Sequence, residues 1–254
     1  MTGHRIGIDG GSTLCKIALI GPLGELLDRR VAKAGWQPAV TAEKLLDELI
    51  EQHGLNRKEV SVVCTGYTRE SILFADKTLT EITAHAKGAV YLREDIRGVI
   101  DIGGQDSKVI SLNGGVIKDF MMNDKCAAGT GRFVEMAMRT LECEPDDVDK
   151  ICDREDYASI NSMCTVFAES EIIGLIAKGV DRGKILEGVM RSIALRISQM
   201  LARTEVPRDG ILIMTGGLSK YTCLIEAIKE TSGYEVIAHA DSLYAGAIGA
   251  ALSS

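Results

Sequence analysis

With 254 residues, 46% of them hydrophobic and 26% charged, the chain is long enough for one large core or two ordinary ones. The balance excludes a disordered or collagen-like chain. Four Pro against 27 Gly, with 4% aromatic residues, leave Val, Ile, Leu, Met and Ala to fill the interior, a palette that favours packed α/β layers. A formal charge of −7 with no Lys/Arg run longer than a pair argues against a nucleic-acid surface.

In chain order, Ile6 to Ile20 predicts a strand, a tight Gly turn and a second strand. Gly24 to Val31 adds a third strand, Val40 to Gln52 has helical spacing at Leu45, Leu46, Leu49 and Ile50, and Val60 to Cys64 reads as a buried strand. Helical stretches at about Arg69 to Phe74 and Ile82 to Arg93 end this half. The series then restarts with a strand into a Gly turn at Val99 to Lys108, and strands at Val109 to Leu112 and Val116 to Phe120. Helices follow at about Arg132 to Leu141, Val166 to Lys178 and Asp181 to Arg203. The last has the clearest period, with Ile185, Val189, Ile193, Ile197 and Met200 three or four apart. A strand from Gly210 runs into Gly216-Gly217 and a helix from about Tyr221 to Thr231, and the small residues of Tyr244 to Leu252 form a packing helix that joins the halves.

Two of these segments match closely. Asp9 and Asp101 each precede a Gly pair, and each is followed seven residues later by Lys, at Lys16 and Lys108. A duplicated α/β architecture follows. Its boundaries are expected at residues 1–96, closed by the C-terminal helix 241–254, and at 97–240, with a nucleotide cleft between the two domains.

Gly-rich turns let backbone N–H groups approach a phosphate without Cβ obstruction. Two facing turns would clasp ATP or ADP through Gly10, Gly11, Ser12, Thr13 and Lys16 on one side and Gly103, Gly104, Gln105 and Asp106 on the other, with Gly216, Gly217 and Lys220 forming a third nucleotide-facing strand-to-helix turn. Asp9 and Asp101 are placed to hold Mg2+, directly or through its waters. Gln105 or Asp106 is near enough in sequence to the second turn to orient an attacking water, so Asp9, Asp101 and Gln105 form the expected catalytic set. The spacing fits neither a P-loop nor a Rossmann fingerprint.

The seven cysteines, at 15, 64, 126, 143, 152, 164 and 223, are an odd set with no export signal, which argues against a disulfide framework, and they include no C-x-x-C pair, so a zinc ribbon, a thioredoxin-type site and a ferredoxin-type run are absent and a metal site must be assembled from scattered thiols. Cys15, Cys64 and Cys223 read as core residues, and Cys143 and Cys152 as incidental members of an acidic loop. Cys126 and Cys164 each precede a helix, a position that favours thiolate. Glu169 and Glu171 either tune that region, contact a partner or are simply acidic first-turn residues. His4, His53, His85 and His239 lack metal-ligand spacing and read as solvent or core residues. No apolar stretch reaches the ~18 residues needed to cross a bilayer, and the expected location is the cytoplasm, without membrane contact.

The three Gly segments resemble the phosphate-1, phosphate-2 and adenosine motifs of the acetate kinase, sugar kinase, Hsp70 and actin superfamily, which implies two duplicated ribonuclease H-like (actin-like ATPase) domains. More narrowly, Asp101 to Lys108, Asn123 to Arg132 and Cys164 to Glu171 resemble the 2-hydroxyacyl-CoA dehydratase activators and the benzoyl-CoA reductase ATPase subunits. That resemblance implies a homodimer holding one [4Fe–4S] cluster on its two-fold axis, ligated by Cys126 and Cys164 of each subunit. It also implies ATP hydrolysis coupled to low-potential electron transfer, from reduced ferredoxin or flavodoxin to a dehydratase or related double-cubane reductase component. A small-molecule kinase of the same fold and a non-catalytic nucleotide-binding regulator are the competing readings. A kinase should add an acceptor pocket with a carboxylate base, for which the sequence offers no clear candidate.

Overall fold

The computed structural model describes residues 3–161 and 164–254. The first half opens with β1 (Arg5–Gly10), β2 (Leu14–Ile20) and β3 (Leu26–Lys33), followed by α1 (Pro38–Gln52), β4 (Ser61–Thr65), β5 (Lys77–Thr78) and α2 (Glu81–Leu92). The second has β6 (Ile96–Ile102), β7 (Ser107–Asn113), β8 (Val116–Asn123), α3 (Gly131–Thr140), α4 (Val148–Ile151), α5 (Thr165–Ala177) and α6 (Arg182–Leu201). It ends with β9 (Ile211–Thr215), α7 (Thr222–Ser232), β10 (Glu235–Ile237) and α8 (Ala245–Ala251).

The strands form two five-stranded sheets, ordered β3-β2-β1-β4-β5 and β8-β7-β6-β9-β10. The orders superimpose strand for strand, so the repeat seen in sequence is a repeat of topology. In each sheet the aspartate-bearing strand is central, antiparallel to its hairpin partner and parallel to the next strand. Ile6 and Ile8 are fully buried, as are Ile100 and Ile102, because these strands are covered on both faces. The edge strands β3 and β8 instead alternate between half-buried and exposed positions.

The small residues of α8 have the purpose expected of them. A Cβ on Gly7 would strike the Ala247 carbonyl, one on Gly88 the Ala245 carbonyl, and one on Gly249 the Ala84 carbonyl. Thus β1, α2 and α8 meet backbone to backbone, with α8 on the first sheet and α2 against α8 and the second. The larger core lies beneath α3, α6 and α7, where Phe133, Ile193 and Leu224 are fully buried.

The stretch at Arg69 to Phe74 departs from expectation. Only a 3-10 turn, Arg69–Ser71, forms there. The chain must return at once to pair β5, and the Asp76 carboxylate accepts from the Val62 amide at 2.7 Å, leaving no length for a helix. Among the described residues no helix is long and apolar enough to cross a membrane.

Candidate nucleotide cleft and cysteine helices

Each Gly turn is closed by its own backbone. Gly11 donates to the Leu14 carbonyl at 3.1 Å, and Gly103 donates to the Asp106 carbonyl at 2.9 Å, so the two turns are built alike. Ser12 and Thr13 occupy the first tip and Gly104 and Gln105 the second. The tips face one another closely, since a Cβ on Gly104 would meet the Thr13 hydroxyl and come within 3.2 Å of Ser12 Oγ.

Between them lies a cavity of about 630 Å3. Asp9, Ser12, Thr13 and Lys16 line it from the first half, Asp101, Gln105 and Asp106 from the second, and Gly216, Gly217 and Lys220 from the third turn. Gly11, Gly103 and Gly104 line it too. Gly10 lies elsewhere: it packs against Thr68, whose hydroxyl donates to the Gly10 carbonyl at 2.9 Å, and a Cβ there would sit 2.5 Å from that hydroxyl oxygen.

The strand register brings each aspartate opposite its lysine, Asp9 to Lys16 and Asp101 to Lys108. Lys16 Nζ lies 2.9 Å from Asp9 Oδ2. Burial pulls the Lys16 ammonium down, but Asp9 and then Asp101 outweigh it and the net shift is upward. Lys108 is fully buried among Asp101 at 3.4 Å, Glu81 at 2.8 Å and Asp106 at 2.8 Å. Burial lowers it, and the three carboxylates more than reverse that, so it stays charged. Burial in turn raises the Asp101 carboxyl, while His85, Lys108, Lys16 and a hydrogen bond from Thr215 hold it below the usual carboxylate range.

Several of these neighbours were not legible as site residues. His85 is buried, as a core reading expects, and is also polar-paired: its Nδ1 lies 3.0 Å from Thr215 Oγ1 and 3.2 Å from Asp101 Oδ1, and the residue lines the cavity. No sequence spacing marks it. Thr215 and its counterpart Thr65 could have been found, because Thr65-Gly66 and Thr215-Gly216 end the strands parallel to β1 and β6 opposite Asp9 and Asp101.

Asp9 and Asp101 present oxygen ligands to one cleft, a donor set that suits Mg2+. The two cysteines expected to act as ligands are both open to solvent at least in part. Cys164 is exposed and caps the N-terminus of α5, and Cys126 is half-buried. The outward face of α5 carries Val166, Phe167, Ile173 and Ile176, of which Phe167 is 70% exposed. Cys126 differs from expectation, because it begins a single 3-10 turn, Ala127–Gly129, and α3 starts only at Gly131. Asn123 brackets it, donating from Nδ2 to the Cys126 carbonyl at 3.0 Å and accepting the Cys126 amide at 3.2 Å.

Glu169 and Glu171 are not first-turn residues of α5. Glu169 reaches Arg139 of α3 at 3.5 Å, and Glu171 accepts the Asn161 amide at 3.1 Å. Cys15, Cys64 and Cys223 are buried as expected. Cys143 and Cys152 are not incidental loop residues: Cys143 is buried, and Cys152 lies beside Cys223 and Glu187.

Residues 6–254 match the model of the BadF/BadG/BcrA/BcrD ATPase family. The activator of lactoyl-CoA dehydratase from Anaerotignum propionicum is 39% identical over 252 residues, covering 98% of this chain and 96% of that protein. The crystal structure of component A of (R)-2-hydroxyglutaryl-CoA dehydratase from Acidaminococcus fermentans superimposes with a TM-score of 0.92 at 35% identity, covering 99% of this chain and 97% of that one. The activator of 2-hydroxyisocaproyl-CoA dehydratase from Clostridium difficile, solved with bound ADPNP, gives a TM-score of 0.91 at 33% identity over 98% and 93% of the two chains. With the whole chain matched at this level, and a cleft built from paired Asp and Gly turns, the protein belongs to the BadF/BadG/BcrA/BcrD ATPase family.

Proposed function

We propose that this protein is an ATP-dependent activator that passes a low-potential electron to a 2-hydroxyacyl-CoA dehydratase or a related double-cubane or benzoyl-CoA reductase-type client, as a homodimer fed by reduced ferredoxin or flavodoxin. The names of its relatives, dehydratase activators and a benzoyl-CoA reductase subunit among them, support the activator role over a sugar or carboxylate kinase. The observation that carries the reading is the exposed Cys164 at the head of a helix whose outward face is apolar and uncovered.

In this reading the boundaries fall at 1–96 with 241–254, and at 97–240, and ATP binds between the two domains. The tip residues Ser12, Thr13, Gly104 and Gln105 hold the phosphates, Lys16 neutralises part of their charge, and Gly216, Gly217 and Lys220 take the adenosine side. Asp9 and Asp101 would hold Mg2+, which neutralises developing phosphate charge. Gln105 orients water. Cys126 and Cys164, with the same two residues of a second copy, would hold a [4Fe–4S] cluster, which supplies the low-potential electron when bound.

The chain's own backbone links the cleft to the cysteines. The amides of Gly131 and Arg132 donate to the carbonyls of Gly103 and Gly104 at 2.8 and 3.0 Å, so the turn that faces ATP is tied to the start of α3, five residues from Cys126. A change in that turn between ATP and ADP shifts the Cys126 segment, and the ion pair from Arg139 to Glu169 connects α3 to α5. Coupling requires only that the two nucleotides favour different arrangements.

Anoxic purification with iron and sulfide counting tests this. About two irons per chain are expected, one four-iron cluster shared by two subunits, with loss of iron in Cys126→Ser and in Cys164→Ser while ATP binding persists. A metal-free monomer, or variants with full iron content, would refute it.

A further inference from the structure

Away from the cleft, three elements remote in sequence converge. Cys152 caps the C-terminus of α4, Glu187 lies on the second turn of α6, and Cys223 lies on the first turn of α7. Their two sulfurs and a Glu187 carboxylate oxygen lie within 4.8 Å of one another. None of the three lines the nucleotide cavity.

Glu187 supplies the observation that calls for a ligand. Its side chain is only 1% exposed, and Oε1 accepts from Arg191 at 2.9 Å, but Oε2 is buried with no hydrogen-bond partner among the described residues. A buried carboxylate oxygen left unsatisfied is costly, on the order of 1–3 kcal/mol or more for a charged group. A disulfide between Cys152 and Cys223 would leave it so. A cation satisfies it.

We propose that Cys152, Cys223 and Glu187 form a binding site for a thiophilic divalent cation of the Zn2+ class, separate from the nucleotide cleft and from Cys126 and Cys164. Two thiolates and one carboxylate carry three negative charges, a dication removes two, and the Arg191 guanidinium, shared between the other Glu187 oxygen at 2.9 Å and Glu230 at 2.7 Å, offsets part of the third. Tetrahedral Zn2+ with bonds of about 2.3 Å to sulfur and 2.0 Å to oxygen has edges of about 3.5 to 3.8 Å, so the three ligands need close by about 1.3 Å at most, with water in the fourth position. Mg2+, which demands oxygen ligands, does not fit the pair of sulfurs.

Bound there, the cation clips the segment leading from α4 towards Cys164 onto α6 and α7. That segment already runs along α6, with Ala158 donating to the Lys184 carbonyl at 2.9 Å and the Tyr157 ring 4.6 Å from the Arg191 guanidinium.

The test uses full-length protein carrying Cys126→Ser and Cys164→Ser, so that iron does not interfere, stripped of metal and handled without oxygen. Titration with Co2+ should give a thiolate-to-cobalt charge-transfer band saturating at one cobalt per chain, displaced by Zn2+ and not by Mg2+. Adding Cys152→Ser or Cys223→Ser should abolish the band, and Glu187→Gln should weaken binding at least tenfold. Should the serine variants fold poorly, alkylation mapped by mass spectrometry on the parent protein decides the matter. Zn2+ should slow labelling of Cys152 and Cys223 at least tenfold while leaving Cys143 unchanged. Absence of a cobalt band in the parent, or equal labelling of Cys152 and Cys223 with and without Zn2+, overturns the proposal.

Discussion

The amide of Gly131, the first residue of α3, donates to the carbonyl of Gly103 in the second Gly turn at 2.8 Å. Together with the bond from the Arg132 amide to the Gly104 carbonyl at 3.0 Å, this bond joins the nucleotide cleft to the segment that carries Cys126. It can be removed without breaking the helix, because proline is tolerated at the first helical position and Thr130 before it is already extended, with φ −133° and ψ 173°. Gly131→Pro is therefore expected to leave far-ultraviolet dichroism unchanged and to weaken ADP and ATP binding about tenfold, the equivalent of ~1.4 kcal/mol for a lost hydrogen bond at a crowded site. Gly131→Ala, which keeps the amide but brings a Cβ to 3.1 Å from the Gly103 carbonyl, should show a smaller loss. Calorimetric titration with ADP separates them, and equal affinities for Gly131→Pro and the parent would break the proposed link.

Gly66 and Gly216 are structural twins with unequal duties. Each follows a threonine at the end of the strand parallel to an aspartate strand, with φ of +95° and +84°. A Cβ on Gly66 would lie 2.5 Å from the Gly10 carbonyl oxygen, and one on Gly216 would strike the Ile102 carbonyl. Alanine at either position is expected to cost on the order of 1–3 kcal/mol in stability, since both the backbone region and the space exclude it. Only Gly216 lines the cavity. Denaturant titration should show both variants destabilised, whereas nucleotide binding under native conditions should fall only in Gly216→Ala.

Lys108 and Lys16 were equivalent in sequence, and the structure separates them. Lys16 faces the cavity and one carboxylate at 2.9 Å, whereas Lys108 is sealed behind the second turn among three. Lys108→Met strands Asp101, Glu81 and Asp106 without their shared cation and is expected to destabilise the fold by about 3–5 kcal/mol. The loss should shrink on acidification, because protonating any of the three carboxylates relieves their repulsion. Lys16→Met leaves only the buried Asp9 without its partner, so it is expected to lower Tm less than Lys108→Met and to act in addition on nucleotide affinity. Thermal unfolding of both variants against pH distinguishes these behaviours, and a stable Lys108→Met protein at neutral pH would contradict this account.

Periodicity and repetition encode much of this fold in the sequence itself. The paired Asp–Gly–Gly segments located both central hairpins, and the small residues at 244–252 located the helix that meets β1 and α2. An element too short to have a period leaves no such mark, as with the two residues of β5, the three of β10 and the four of α4. Nor does an approach between distant segments leave a local mark. His85 sits in a helical pattern indistinguishable from core, and nothing in its neighbourhood announces Thr215, 130 positions away. Cys152 looked incidental for the same reason, since its neighbours Glu187 and Cys223 come from two other helices. The Thr65-Gly66 and Thr215-Gly216 pair was readable as a repeat in its own right, but the match covers only two residues and carries weight only once the strands are seen side by side.

Cys15 provides a pH handle on the first half. It is fully buried in β2, and burial, with Asp9 adding to it, pushes the thiol from 9.0 up to about 12. A group whose folded pKa is raised contributes stability that is fully present below the unfolded value and is lost as pH rises through the folded one. The window here runs from pH 9.0 to about 12. Within it the unfolded thiol loses its proton while the folded one keeps it, so stability falls with pH, at up to about 1.4 kcal/mol per pH unit from this group. Cys15→Ala should remove that contribution, giving a shallower alkaline decline in unfolding free energy at the cost of a small, pH-independent packing loss. Denaturant titrations of parent and variant at stepped pH across that window give the two slopes. Parallel slopes would mean that the Cys15 thiol ionises as readily in the folded protein as in the unfolded one, against its place in the packed face of β2.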